Sequence, residues 1–169
     1  MVAYVAGEGA AFRVLFERYA PLLLRAMLRD LHVREEASDL VQKTFLQLHR
    51  ARRDFDPEQK LRPWLFTIAF NLKREYFRYR KRRPEQHLDG DSSFEPIASA
   101  LDAQQVEARR SLTHALRVLP AEQREVIELH WFHGLDFAEV ALVVGASLSA
   151  VKVRAHRGYV RIKGALRED

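Results

Sequence analysis

The sequence predicts an all-α protein of two helical parts joined by an acidic linker, and three observations lead there. Apolar residues recur at three- and four-residue steps through several windows, the period of helices with one buried face. Strand-like alternation and internal repeats are not seen anywhere in the chain. Residues 84–105 break the helical period with Pro84, Gly90, Ser92, Ser93 and Pro96, the composition of a flexible linker.

The elements follow in order. Phe12, Leu15, Phe16, Tyr19, Leu23, Ala26 and Met27 form one apolar helical stripe. Glu35 and Glu36 then mark the first turn of a second helix, where acids suit the helix dipole. Its apolar face is Ala37, Leu40, Val41, Thr44, Phe45 and Leu48, and it is expected to end near Arg52. Asp54 to Pro63 reads as a loop, because Asp-Pro and a second Pro punctuate it. From Trp64 to about Arg82 a helical period resumes, with Trp64, Leu65, Ile68 and Leu72 as core candidates. Together these make an N-terminal bundle of three to four helices over residues 1–83, a size that can fold alone. Beyond the linker, residues 106–169 fit four short helices. Val106, Leu112, Ala115, Leu116 and Leu119 lie on the first, stopped by Pro120, and Val126, Ile127, Leu129 and His130 on the second, ending at Gly134. Asp136 to Ile162 supplies the remaining pair, hinged at Gly145.

Composition narrows the function. A chain of 169 residues with 47% apolar and 30% charged content is globular rather than disordered. No apolar run reaches the roughly 20 residues of a membrane helix. The start, MVAYVAGEGAAF, lacks the zones of a signal peptide. A cytoplasmic place without membrane insertion is expected. With no Cys, disulfides, thiolate catalysis and the usual zinc fingers are excluded. His130 and His133 share a helical face, but no third ligand has comparable spacing, so no metal, cofactor or catalytic residue is expected. Charge is unevenly spread. Lys73 to Arg83 holds seven basic residues and one acid, residues 84–108 six acids without Lys or Arg, and Lys152 to Lys163 five basic residues without an acid. Two cationic patches on separate parts suggest two nucleic-acid contacts.

The last helical pair has the organisation of a helix-turn-helix. Val140, Ala141, Val151, Ala155, Tyr159 and Ile162 make its apolar seam. Gly145 allows a left-handed turn and Ser147 caps the next helix. With that seam inward, Ser149, Lys152, Val153, His156 and Arg157 project toward a major groove, while Arg154, Arg161 and Lys163 sit where phosphates run. Gly158, inside the helix, costs about 1 kcal/mol relative to Ala, which suggests close packing or a weak point. The other patch, Arg62 to Arg83, interleaves aromatics with cations, as a surface that stacks on bases and holds their phosphates requires. Phe70, Tyr76, Phe77 and Tyr79 cannot all face inward at their spacing.

These residues resemble the signatures of extracytoplasmic-function (ECF, group IV) sigma factors, the promoter-specificity subunits of bacterial RNA polymerase. Asp39-Leu40-Val41-Gln42-Lys43-Thr44-Phe45 and Trp64-Leu65-Phe66-Thr67-Ile68-Ala69-Phe70-Asn71 match the family's first signature. Leu119-Pro120, Arg124-Glu125-Val126 and Gly134-Leu135-Asp136-Phe137-Ala138-Glu139-Val140-Ala141 match its second. Ser38, Phe70 and Val153 depart from residues frequent in the family.

The resemblance implies sigma region 2 over 1–83, a linker over 84–105 that crosses the polymerase cleft, and sigma region 4 over 106–169. It implies as partners core RNA polymerase, through its beta-prime clamp helices and beta flap, promoter DNA, and an anti-sigma factor. Asp39 and Gln42 would meet the clamp helices. Phe55, the loop Asp56 to Lys60, Trp64 and Asn71 would take a base flipped from the minus-10 strand, with Lys73, Arg74, Arg78 and Arg80 on its phosphates. The helix of Ser149 to Arg161 would read the minus-35 duplex. A stand-alone helix-turn-helix regulator, or a sigma-like adaptor without initiation activity, is the alternative.

Overall fold

The structure, a computed structural model, describes residues 1–31, 33–82 and 114–168, which fall into two compact helical units. The linker expected over 84–105 lies outside the described residues, as do Arg83, Val106 and Leu112. No strand occurs among the described residues.

The first unit contains α1 (Val2–Val5), α2 (Gly9–Leu28), α3 (Arg34–Arg50), a 3-10 turn (Arg52–Asp54) and α4 (Leu61–Arg82). The α3 stripe buries Ala37, Leu40, Val41, Thr44, Phe45 and Leu48, all six expected from spacing. Thr44 is buried without cost to its hydroxyl, which donates to the Leu40 carbonyl at 2.7 Å. On α2 the stripe is narrower than its period suggests. Leu15, Leu23, Ala26 and Met27 are buried, but Phe16 is 39% exposed and Tyr19 half-buried. Phe16 instead lies along the edge of the bundle, its ring 4.7 Å from that of Phe45. From α4, Leu65, Phe66, Ile68, Ala69 and Phe70 close the core, each large apolar side chain contributing about 1.5–3 kcal/mol by leaving water.

Two boundaries differ from expectation. α4 starts at Leu61, three residues before Trp64, and takes Pro63 into its first turn. Pro is tolerated there because a first-turn N–H has no acceptor within the helix. α1 is too short to show a period, and it is held by side chains. Tyr4 packs its ring 5.4 Å from Phe12 and hydrogen-bonds His49 through its hydroxyl.

The second unit opens with a helical turn at residues 114–117. Then come α5 (Ala121–Trp131), α6 (Phe137–Val144) and α7 (Leu148–Glu168). Leu116, Leu119 and Ile127 form a buried cluster against which Tyr159 and Ile162 pack. α7 runs past Ile162 to Glu168, so this helix is 21 residues long rather than short. Gly158 marks a close approach, as its place inside a helix suggested: a Cβ there would stand 2.4 Å from Ile127 Cδ1, while Ala141 in the seam is half-buried. Gly158 is therefore the contact that lets α7 approach α5.

Candidate nucleic-acid interface

The turn between α6 and α7 is fixed by local chemistry. Asp136 caps α6: its carboxylate accepts from Glu139 N at 2.8 Å, and the Glu139 carboxylate accepts from Asp136 N at 2.9 Å. This reciprocal capping box stands in the sequence as Asp-x-x-Glu. Gly145 ends α6 at φ 66, ψ 40, the left-handed conformation expected of it. Ser147 Oγ then accepts from Ala150 N at 3.2 Å and caps α7.

On α7, Val151 and Ala155 are buried with Val140 and Val143 of α6. Gly158 is buried too. Ser149, Lys152, Val153, His156 and Arg157 are exposed, as the seam required. Arg154 differs from the others. It was expected on phosphates, yet its Nη2 lies 2.9 Å from Glu122 Oε2. Arg161 Nη1 donates to Gln123 Oε1 at 3.0 Å while the side chain stays exposed, and Lys163 is exposed. No spacing rule links Glu122 to Arg154, so the sequence reading missed this partner.

On the first unit, α4 divides its cations between interior and surface. Lys73 was expected on phosphates and is buried, 5% exposed. Its Nζ is 2.6 Å from Asp30 Oδ2 and 4.0 Å from the centroid of the Phe70 ring. A cation removed from water needs such a partner, so Lys73 belongs to the bundle interior and not to its exposed cationic surface. Arg80 is partly drawn in as well. Its Nη1 lies 3.6 Å from Glu36 Oε2 and donates to the Tyr76 hydroxyl at 3.2 Å. Burial, then hydrogen bonding and charge from Glu36, push the Tyr76 phenol up to about 12 against the opposing pull of Arg80. Asn71 is exposed, and its Oδ1 accepts from Arg74 Nη2 at 2.7 Å. Arg78 is exposed beside Phe77 and Tyr79, whereas Phe70 is buried.

The loop before α4 is partly closed. Phe55 was expected to face a base, but it is 8% exposed and lies 5.1 Å from the half-buried Trp64 ring. Asp56 Oδ1 accepts from Glu58 N at 3.0 Å and shapes the turn. Asp56 and Lys60 are exposed.

Asp39 and Gln42 lie on the exposed face of α3. Asp39 Oδ2 pairs with Lys43 Nζ at 2.6 Å. With Arg34, Glu35 and Ser38 these two residues line a shallow hollow of about 330 Å³. His130 Nδ1 is 2.7 Å from the Leu135 carbonyl, and its ring stacks on Phe137 at 4.3 Å. Among the described residues no group of three His or carboxylates could hold a metal, and no helix is long and apolar enough to cross a membrane.

Comparison with known proteins matches residues 15–83 to "Sigma-70 region 2" and residues 109–162 to "Sigma-70, region 4". The chain is 34% identical to RNA polymerase sigma factor CarQ of Myxococcus xanthus, over 96% of this chain and 92% of that protein. It is 30% identical to ECF RNA polymerase sigma factor SigM of Mycobacterium tuberculosis, over 96% of this chain and 80% of the relative. The solved structure of sigma factor RpoE with the anti-sigma factor NepR from Bartonella quintana aligns with a TM-score of 0.75 at 25% identity. That alignment covers 94% of this chain and 98% of RpoE.

Proposed function

The chain belongs to the extracytoplasmic-function family of RNA polymerase sigma factors, and on that premise we propose a division of labour among its residues. As a sigma factor it binds core RNA polymerase and directs transcription initiation at particular promoters. Its relatives are initiation factors rather than enzymes, and this chain is assigned no catalytic step of its own.

α7 reads the minus-35 duplex. Ser149, Lys152, Val153, His156 and Arg157 meet base edges, and Arg161 and Lys163 hold the backbone. One observation carries this reading: Val151, Ala155 and Gly158 are buried, while Lys152, His156 and Arg157 on the same helix are exposed. α4 and its preceding loop capture the minus-10 strand. Asn71, Arg74 and Arg78 with Asp56 and Lys60 form the capture face, and Phe55 against Trp64 forms its wall. Flipping a base costs a few kcal/mol, which base stacking at about 1–3 kcal/mol per base and phosphate contacts can offset. No ATP is then required for melting. Asp39 and Gln42 meet the beta-prime clamp helices, and region 4 meets the beta flap. Residues 84–105 span the polymerase cleft between regions 2 and 4.

An anti-sigma factor holds the chain inactive in the cytoplasm, or at the membrane, until a signal releases it. RpoE of Bartonella quintana has such a partner in NepR. The test is transcription by core polymerase from a promoter library with and without the chain. Promoter-specific, ATP-independent opening is expected. Asn71→Ala should impair opening more than duplex binding, and Arg157→Ala should weaken minus-35 recognition. Equal loss of duplex affinity in both variants would refute the division.

A further inference from the structure

The first turn of α5 carries an acid that reaches the reading helix. Glu122 Oε2 is 2.9 Å from Arg154 Nη2, with the carboxylate side chain 72% exposed and the Arg side chain 30% exposed. Beside it Gln123 Oε1 accepts from Arg161 Nη1 at 3.0 Å. Both contacts form because Gly158 lets α7 approach α5 at Ile127 and Gln123. Among the described residues Arg154 is the cation of α7 that sits in an ion pair. Exposed Lys152, Val153, His156 and Arg157 surround it in sequence, so its guanidinium borders the face turned outward. Glu122 lies where the dipole of α5 favours an anion, and it is in place before DNA arrives. A pair this exposed contributes little to stability, so a phosphate can contest it.

We infer that Glu122 is a built-in competitor for the DNA backbone, holding the Arg154 guanidinium that α7 would otherwise give to a phosphate. The inference rests on α7 being the duplex reader. A phosphate contact is independent of sequence, so the competitor lowers affinity for promoter and non-promoter duplexes alike. It thereby limits retention on the large excess of non-promoter DNA, while Lys152, His156 and Arg157 keep their base contacts. Each phosphate neutralised steepens the salt dependence of binding by about 0.9 in log–log slope. Removing the competitor should therefore steepen that slope as well as tighten binding.

The full chain is tested as wild type, Glu122→Gln, Arg154→Met and the double variant. Fluorescence anisotropy is read over a salt series on two labelled duplexes, one selected from a random promoter library by transcription with core polymerase and one with that sequence scrambled. Glu122→Gln is expected to tighten both duplexes about 2- to 5-fold and to steepen the slope by about 0.9. In the Arg154→Met background it should do neither. Weaker or unchanged binding in Glu122→Gln overturns the inference, because Glu122 would then orient Arg154 or be indifferent to DNA. A gain that persists beside Arg154→Met overturns it too, since a long-range charge effect would suffice. Arg157→Ala separates the premise from the inference: if it leaves the preference for the selected duplex intact, the reading role of α7 fails whatever Glu122 does.

Discussion

Lys73 Nζ meets Asp30 Oδ2 at 2.6 Å inside the first unit, across 43 residues of sequence, and fastens α4 to the chain just after α2. This pair turns Lys73 inward, leaving Asn71 and Arg78 on the exposed side of the same helix.

Removing one partner strands a buried charge. Asp30→Ala should lower the stability of the first unit by about 3 kcal/mol, whereas Asp30→Leu with Lys73→Met should return close to wild type. Urea unfolding followed by Trp64 fluorescence measures both, in a Trp131→Phe background that leaves one of the two Trp residues. Equal losses in the single and paired variants would show that the ion pair itself is not what Asp30 contributes.

Gly158 faces Ile127 Cδ1 at a distance no Cβ could share. Gly158→Ala should destabilise the second unit by about 1–3 kcal/mol through overpacking. Ile127→Val removes that Cδ1, and in its background the same substitution should become stabilising by up to about 1 kcal/mol, because Ala is the better helix former. Thermal unfolding of the four proteins of this cycle gives the sign directly.

Much of this fold could be read from period and punctuation. The α3 stripe, the Gly145 turn and the Ser147 cap follow from apolar spacing, a residue free to adopt positive φ and a short hydroxyl. The start of α4 was hidden because Pro63 normally argues for a loop, and the length of α7 because Gly164 argues for a helix end soon after Ile162. Within the candidate interface, cationic character was legible but its direction was not. Lys73, Arg80 and Arg154 stand in basic runs, yet Asp30, Glu36 and Glu122 claim them through contacts that depend on the tertiary fold. Phe55 was likewise placed near Trp64 but turned inward by it.

Gly145 tests the turn. Its φ of 66 costs a residue with a Cβ roughly 1–2 kcal/mol, so Gly145→Ala should lower the stability of the second unit by about that amount. Gly145→Asn should cost less, since Asn tolerates the left-handed region. Equal losses, read from urea midpoints, would mean that the turn relaxes out of that conformation.

Tyr76 gives the first unit a dependence on alkaline pH. Its phenol is pushed up to about 12 in the folded chain, against about 10 when unfolded. Between these values the folded state keeps a proton that the unfolded state has lost. The stability Tyr76 contributes is therefore complete below about pH 10 and is lost as pH rises toward 12. The difference in melting temperature between wild type and Tyr76→Phe should change across that window and stay flat below it.

The proposed division puts strand capture and duplex reading on separate units. Its most direct measurement is strand opening by reconstituted holoenzyme on a selected promoter, read beside promoter binding. Asn71→Ala should reduce opening at least 10-fold while binding to the closed duplex changes less than about 3-fold, a difference of at least about 0.7 kcal/mol. Arg157→Ala should weaken closed-duplex binding and leave opening unchanged on a template already melted at minus-10. If Asn71→Ala lowers closed-duplex binding as much as opening, the two roles are not divided between these units.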